Sequence, residues 1–118
     1  MVISFPFTPP SLNCLYPSSR SGIRFKSKRY KAFIERFALY VPDRNPTLLN
    51  GDLHVEINLY FADKRRHDID NFNKAILDTL VLYEVIGDDN QIQKLVVEKR
   101  YEKGKPCTII EIKKSKGI

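Results

Sequence analysis

Between Leu53 and Phe61 the apolar residues Leu53, Val55, Ile57, Leu59 and Phe61 alternate without a break with His54, Glu56, Asn58 and Tyr60. A period of two gives an extended strand one apolar face, so this segment belongs to a sheet with one side buried and the other facing water. A buried face needs a cover, and two segments with a different period supply it. Tyr30, Phe33, Ile34, Phe37 and Val41 recur every three or four residues, predicting a helix from Lys28 to about Tyr40. Ile69, Phe72, Ile76, Leu80 and Tyr83 do the same and predict a second helix from about Ile69 to Tyr83.

The remaining elements are shorter. Val2 to Phe7 reads as a first strand, ended by Pro6 and by Thr8-Pro9-Pro10. Asn13 to Gly22 carries loop chemistry, and Pro42 closes the first helix before a surface connection from Asp43 to Asp52. Gly87 occupies a place where a left-handed cap or tight turn is wanted. Ile92 to Tyr101 and Thr108 to Lys113 regain strand character, and Gly104 and Pro106 between them predict a hairpin, followed by a frayed basic tail. The order β-α-β-α-β-β predicts an α+β fold, a four-stranded mixed sheet with two helices on one face, with the strand order left open. At 118 residues there is room for one domain, residues 1–118.

Lys and Arg outnumber Asp and Glu by 20 to 14, a net charge of +6, which favours a polyanionic partner such as nucleic acid over an acidic one. The positive charge is concentrated. Arg20, Arg24, Lys26, Lys28, Arg29, Lys31 and Arg36 share one stretch with a single acid, Glu35, and Lys64, Arg65 and Arg66 form a second group. With Phe25 and Tyr30 interleaved they offer phosphate contacts and a stacking surface, although the helical spacing of Tyr30, Phe33 and Phe37 fits the core better. Cys14 and Cys107 are far apart and form no CxxC pair, which suits free thiols in a reducing cytoplasm. Charged residues interrupt every apolar run short of the roughly 18 residues a membrane span needs, so no membrane partner is expected.

Against this basic background, Asp68-Ile69-Asp70-Asn71, Lys74 and Gly87-Asp88-Asp89 gather carboxylates around the predicted second helix. Asp70 and Lys74 are one helical turn apart, and Asp89 closes the set if the third strand lies beside the start of that helix. Oxygen ligands without a Cys or His cluster suit Mg²⁺ or Mn²⁺ rather than Zn²⁺. His54, at an outward strand position, reads as a surface residue, and His67 as a phosphate contact rather than a ligand. A purely structural account stands beside this one: Asp68 or Asp70 as a helix N-cap contributing about 1 kcal/mol, and Asp88-Asp89-Asn90 as a polar turn. An EF-hand fails, because Phe72 and Asn73 stand where its third ligand and glycine belong.

Pro9-Pro10-Ser11-Leu12-Asn13 with Tyr16, the run Arg65-Arg66-His67-Asp68-Ile69-Asp70-Asn71-Phe72-Asn73-Lys74, Val85 to Ile92 around Gly87-Asp88-Asp89, and Lys99 with Gly104 together resemble the RusA-type Holliday junction resolvases. The resemblance covers nearly the whole chain. It implies a homodimeric, Mg²⁺-dependent endodeoxyribonuclease (Mn²⁺ as a substitute) that nicks DNA four-way junctions in recombination and repair, with Asp68, Asp70 and Asp89 as metal-holding catalytic carboxylates and Lys74 as the essential lysine. Asn13 and Tyr16 enter the site by resemblance alone. One departure is His67, where members of the family carry arginine; an imidazole in place of a permanent cation is expected to alter affinity or pH dependence, not the chemistry. Two other readings remain: a DNA-binding protein of the same fold without catalysis, and a nuclease for flaps or forks.

Overall fold

The computed structural model describes residues 1–12, 26–41 and 49–115. Strand β1 (Val2–Phe5), helix α1 (Lys28–Ala38), strand β2 (Leu53–Phe61), helix α2 (Asn73–Leu82), and strands β3 (Ile92–Tyr101) and β4 (Cys107–Lys114) follow in that order, with 3-10 turns at Ile69–Asn71 and Asp89–Gln91. The α+β class, the mixed four-stranded sheet and the two helices agree with the sequence pattern.

The sheet order is β1-β4-β2-β3. β2 pairs in parallel with β3 and antiparallel with β4, and β1 pairs antiparallel with β4. The predicted β3–β4 hairpin is therefore wrong: β2 lies between the two strands. Composition explains the outcome. β4 buries Thr108, Ile110 and Ile112 in alternation, whereas β3 exposes Gln93, Lys94, Glu98, Lys99 and Arg100 along its length. A charged strand tolerates an edge, and an alternating apolar one is better placed inside.

Leu53, Val55, Ile57, Leu59 and Phe61 of β2 are all buried, and meet Phe33 and Phe37 of α1 and Ala75, Ile76 and Leu80 of α2 in one core. Each large side chain so buried contributes about 1.5–3 kcal/mol before entropy is counted. Aromatic rings knit β1 to α1: Phe5 stacks on Phe7 at 4.4 Å and meets Phe37 at 5.2 Å. Ser27 caps α1, its Oγ accepting from the Tyr30 N–H at 3.0 Å. Polar groups inside the core are paired, the Thr108 hydroxyl donating to the Phe7 carbonyl at 2.8 Å.

Two local expectations are corrected. The second helix does not run continuously from Ile69, because a 3-10 turn precedes it and α2 proper begins at Asn73. The left-handed residue after it is Glu84, at φ 58°, and Gly87 has no positive φ. The Val85 N–H, bonded back to the Leu80 carbonyl at 2.9 Å, closes the end of α2 in that geometry. Among the described residues no helix is long and apolar enough to cross a membrane, and Cys107 is a free thiol.

Candidate active site

β2 delivers the chain to a sheet margin at Phe61, and the segment from Ala62 to Phe72 carries it to α2. That segment is irregular, yet it is docked. Glu102 N–H donates to the Phe61 carbonyl at 2.9 Å and Gly104 N–H to the Ala62 carbonyl at 3.2 Å, tying its start to the end of β3. Lys64 Nζ lies 5.0 Å from the centre of the Tyr101 ring. The His67 ring lies flat on Phe61, centroids 3.9 Å apart and planes within 7°, with the edge of Phe72 beside it. Its Nε2 is 3.1 Å from Asp63 Oδ1, and its carbonyl accepts a 2.7 Å hydrogen bond from Lys99 Nζ. This geometry makes His67 a packed support for the acidic residues that follow it.

Asp63 is the electrostatic hinge of the segment. Hydrogen bonds from the Arg65 side chain, from His67 and from the Arg65 N–H hold its pKa at about 2. Asp68 and Asp70 are exposed. Asp68 occupies the cap position of the 3-10 turn but makes no side-chain cap hydrogen bond; its Oδ1 instead meets Arg66 Nε at 3.3 Å. The N-cap account of Asp68 therefore does not describe its side chain.

The second acidic turn is built differently. Asp88 accepts from the Asn90 N–H at 3.1 Å, and Gln91 Oε1 accepts from the Gly87 and Asp88 N–H groups at 2.7 and 3.0 Å, a complete capping box. The Gln91 amide donates to the Leu49 and Gly51 carbonyls, both at 2.9 Å. The Asn90 N–H first, then hydrogen bonds from the Asp89 side chain and backbone, lower the Asp88 pKa. Asp88 thus has a structural task, and Asp89 next to it takes no part in the capping box. Its pKa is raised by the hydrogen-bonded Asp88 carboxylate first, then by lost hydration and by Asp78, with Lys74 acting in the opposite sense.

Lys74, one turn after Asp70 in the sequence, pairs with Asp78 one turn further along α2, at 3.2 Å. Asp78 escaped the sequence reading. The signal was present, an Asp four residues after the candidate lysine on the same helix face, but it was indistinguishable from an ordinary surface pair. The donors are carboxylate oxygens in exposed positions, with Asp89 destabilised by its acidic neighbours, and that chemistry fits a hard divalent cation. Among the described residues no three Asp, Glu, His or Cys side chains are gathered closely enough to hold one ion. Asp68 and Asp70 stand before α2, and Asp89 approaches the helix at Asp78 and Lys74.

Beside Asp68 opens a cleft of about 720 Å³. Arg29 and Arg36 of α1 line it together with Arg65 and Arg66, with Phe7, Phe33 and Pro9-Pro10 among the apolar lining. Arg36 stacks its guanidinium 3.9 Å from the Phe7 ring centre. The two basic groups of the sequence, separated by some thirty positions, thus line one groove together with Asp68. Lys28 is exposed at the start of α1, and Lys26 reaches over the Tyr30 ring. Arg20, Arg24, Asn13 and Tyr16 lie outside the described residues.

The family model described as Endodeoxyribonuclease RusA matches residues 6–113. The chain belongs to the RusA endodeoxyribonuclease family. A crossover junction endodeoxyribonuclease RusA from Aquifex aeolicus (strain VF5) is 37% identical over 65 residues, 55% of this chain and 52% of that protein. The aligned part therefore spans about half the length of this curated relative. For a RusA family member the arrangement has a direct reading: one acidic turn precedes α2, the other approaches that helix at Lys74 and Asp78, the family match runs through both, and the arginine cleft opens beside Asp68.

Proposed function

We propose that this protein is a Mg²⁺-dependent, structure-selective endodeoxyribonuclease that resolves DNA four-way junctions by paired nicks in recombination and repair. The observation that carries the reading is the cleft lined by Arg29, Arg36, Arg65 and Arg66 together with Asp68, in a chain of the RusA family. Guanidinium forks match phosphate oxygens bidentately and stay charged at any physiological pH. A strand laid in this groove has its backbone neutralised by the arginines and one phosphodiester brought to the acidic margin.

Asp68, Asp70 and Asp89 are the carboxylates that would hold Mg²⁺ once drawn closer than they stand here, where no three such side chains among the described residues are gathered around one point. When bound, the ion supplies Lewis acidity at the phosphate and a water of lowered pKa. Lys74 contributes a compact cation for a nonbridging or leaving oxygen, and Asp78 keeps that ammonium on the Asp89 side of the helix until DNA arrives. Arg66 is paired with Asp68 at 3.3 Å and would be free to bind a phosphate if Asp68 held the cation. A four-way junction has two-fold symmetry and needs two strands cut, so the active species is a C2 homodimer with one acidic site per chain.

Incubation of a labelled synthetic four-way junction with the protein, with and without Mg²⁺, beside linear duplex and flap substrates, tests the proposal. Symmetric paired nicks confined to the junction and abolished by EDTA are expected. Cutting restricted to flaps would move the substrate class, and binding without nicking in Mg²⁺ or Mn²⁺ would leave a DNA-binding protein of this fold.

A further inference from the structure

We propose that Lys99 is a positioning residue for the acid-bearing segment, a strut from β3 that fixes the peptide leading into Asp68. The inference rests on the reading of Asp68 and Asp70 as site carboxylates. Lys99 pairs in register with the inward-facing Leu59 of β2, so it lies on the helix-covered side of the sheet although β3 is an edge strand. Its Nζ crosses to the His67 carbonyl at 2.7 Å, joining residues 32 apart in sequence. Its hydrogen bond goes to a backbone carbonyl, that of the residue immediately before Asp68. That bond sets the plane of the peptide between His67 and Asp68, and with it the direction in which the Asp68 side chain leaves the backbone.

The segment depends on such help. Locally it has one backbone bond, Asn71 N–H to the Asp68 carbonyl at 3.0 Å, and no side-chain cap. The His67 ring anchors its own side chain on Phe61, but a ring stacked at Cβ and beyond leaves the following peptide free to rotate. Lys99 removes that freedom with a charge-assisted bond, stronger than its neutral counterpart. Because the lysine is exposed, its removal costs the core nothing. Placement of a reacting group to within about 1 Å is worth on the order of a hundredfold in rate, so a strut distant from the phosphate can govern cleavage.

Lys99→Met keeps the aliphatic stem and removes the ammonium, and Lys99→Arg restores a donor. The decisive readout within residues 66–71 is hydrogen exchange of the Asn71 amide, the one held by the segment's backbone bond, which requires neither metal nor DNA. In Lys99→Met exchange there is expected to rise by about tenfold or more while the rest of the protein keeps its protection, and Lys99→Arg is expected to stay close to wild type. Single-turnover cleavage of the synthetic junction should fall by about ten- to a hundredfold in Lys99→Met with junction Kd changed by less than about twofold. Mn²⁺ binding, followed by electron paramagnetic resonance, should weaken, whereas loss of a nearby positive charge by itself would tighten it. Unchanged exchange at the Asn71 amide overturns the proposal, and weaker junction binding at an unchanged saturating rate would make Lys99 a phosphate contact instead. If exchange rises as expected but the wild type neither binds Mn²⁺ nor cuts, the strut stands and the nuclease reading falls.

Discussion

The two acidic turns flank the same helix and are held in opposite ways. The turn at Asp88–Gln91 is self-contained: Asp88 and Gln91 cap each other's backbone within four residues, and Gln91 adds links to Leu49 and Gly51. The segment around Asp68 and Asp70 holds its shape through distant residues, namely Phe61 under His67, Lys99 on its carbonyl, and the Glu102 and Gly104 amides behind it. A locally capped turn is an inherent property of its sequence, whereas a segment docked from afar exists only in the folded domain. In the first turn one aspartate is occupied by the cap and its neighbour is left for chemistry; in the second both aspartates remain exposed.

The sharpest way to break this contrast is to exchange Asp for Asn in each turn. Asp70→Asn is expected to lower the cleavage rate by about a thousandfold or more, the scale of removing a central electrostatic group, while Asp88→Asn, whose amide oxygen can still cap, loses little. Similar losses in single-turnover assays would show that Asp88 is not merely a cap. Next in size is Gln91→Ala, which leaves the Gly87 and Asp88 N–H groups and the Leu49 and Gly51 carbonyls without their partner; urea unfolding should show a loss of about 2 kcal/mol. A loss of only a few tenths would mean that water replaces the amide.

Smaller effects belong to the cleft. Arg36→Gln is expected to weaken junction binding several-fold and to reduce the slope of log K against log salt by about 1, as loss of one phosphate contact requires. The mildest prediction concerns acid. With its pKa depressed to about 2, Asp63 contributes stability that is fully present above the ordinary value near 3.8 and is lost as pH falls through about 2. Between about pH 4 and pH 2 the wild type should therefore lose stability more steeply than Asp63→Asn, as urea midpoints at several pH values would reveal.

Periodicity made β2 legible to the residue and α1 nearly so, because each buries one face and nothing competes with the pattern. β3 was found as a strand but assigned the wrong neighbour. Gly104 and Pro106 are good turn residues, and a turn signal says where a chain reverses, not which strand it rejoins; the run of charges on β3 was the cue to an edge. Asp68, Asp70, Lys74 and Asp89 stood out because acids cluster rarely in so basic a chain, and their family pattern gave them roles. What the sequence hid was tertiary: Lys99 reaching across to His67, Lys74 turned toward Asp78, and Arg29 and Arg36 brought into one groove with Arg65 and Arg66. The first and last have no local signature, since each joins residues set in place by separate elements; the Lys74–Asp78 pair had one, an Asp at i,i+4, that any ordinary surface pair shares.

The central claim is that the acidic margin performs chemistry and the arginine cleft holds DNA, and one paired measurement addresses it: junction Kd and saturating single-turnover cleavage rate for Asp70→Asn and for Arg36→Gln. A crossed pattern is predicted, with Asp70→Asn binding as wild type and failing to cut, and Arg36→Gln binding more weakly but cutting at the wild-type rate once saturated. Parallel loss of binding and cleavage in both variants, or normal cleavage by Asp70→Asn, would contradict it.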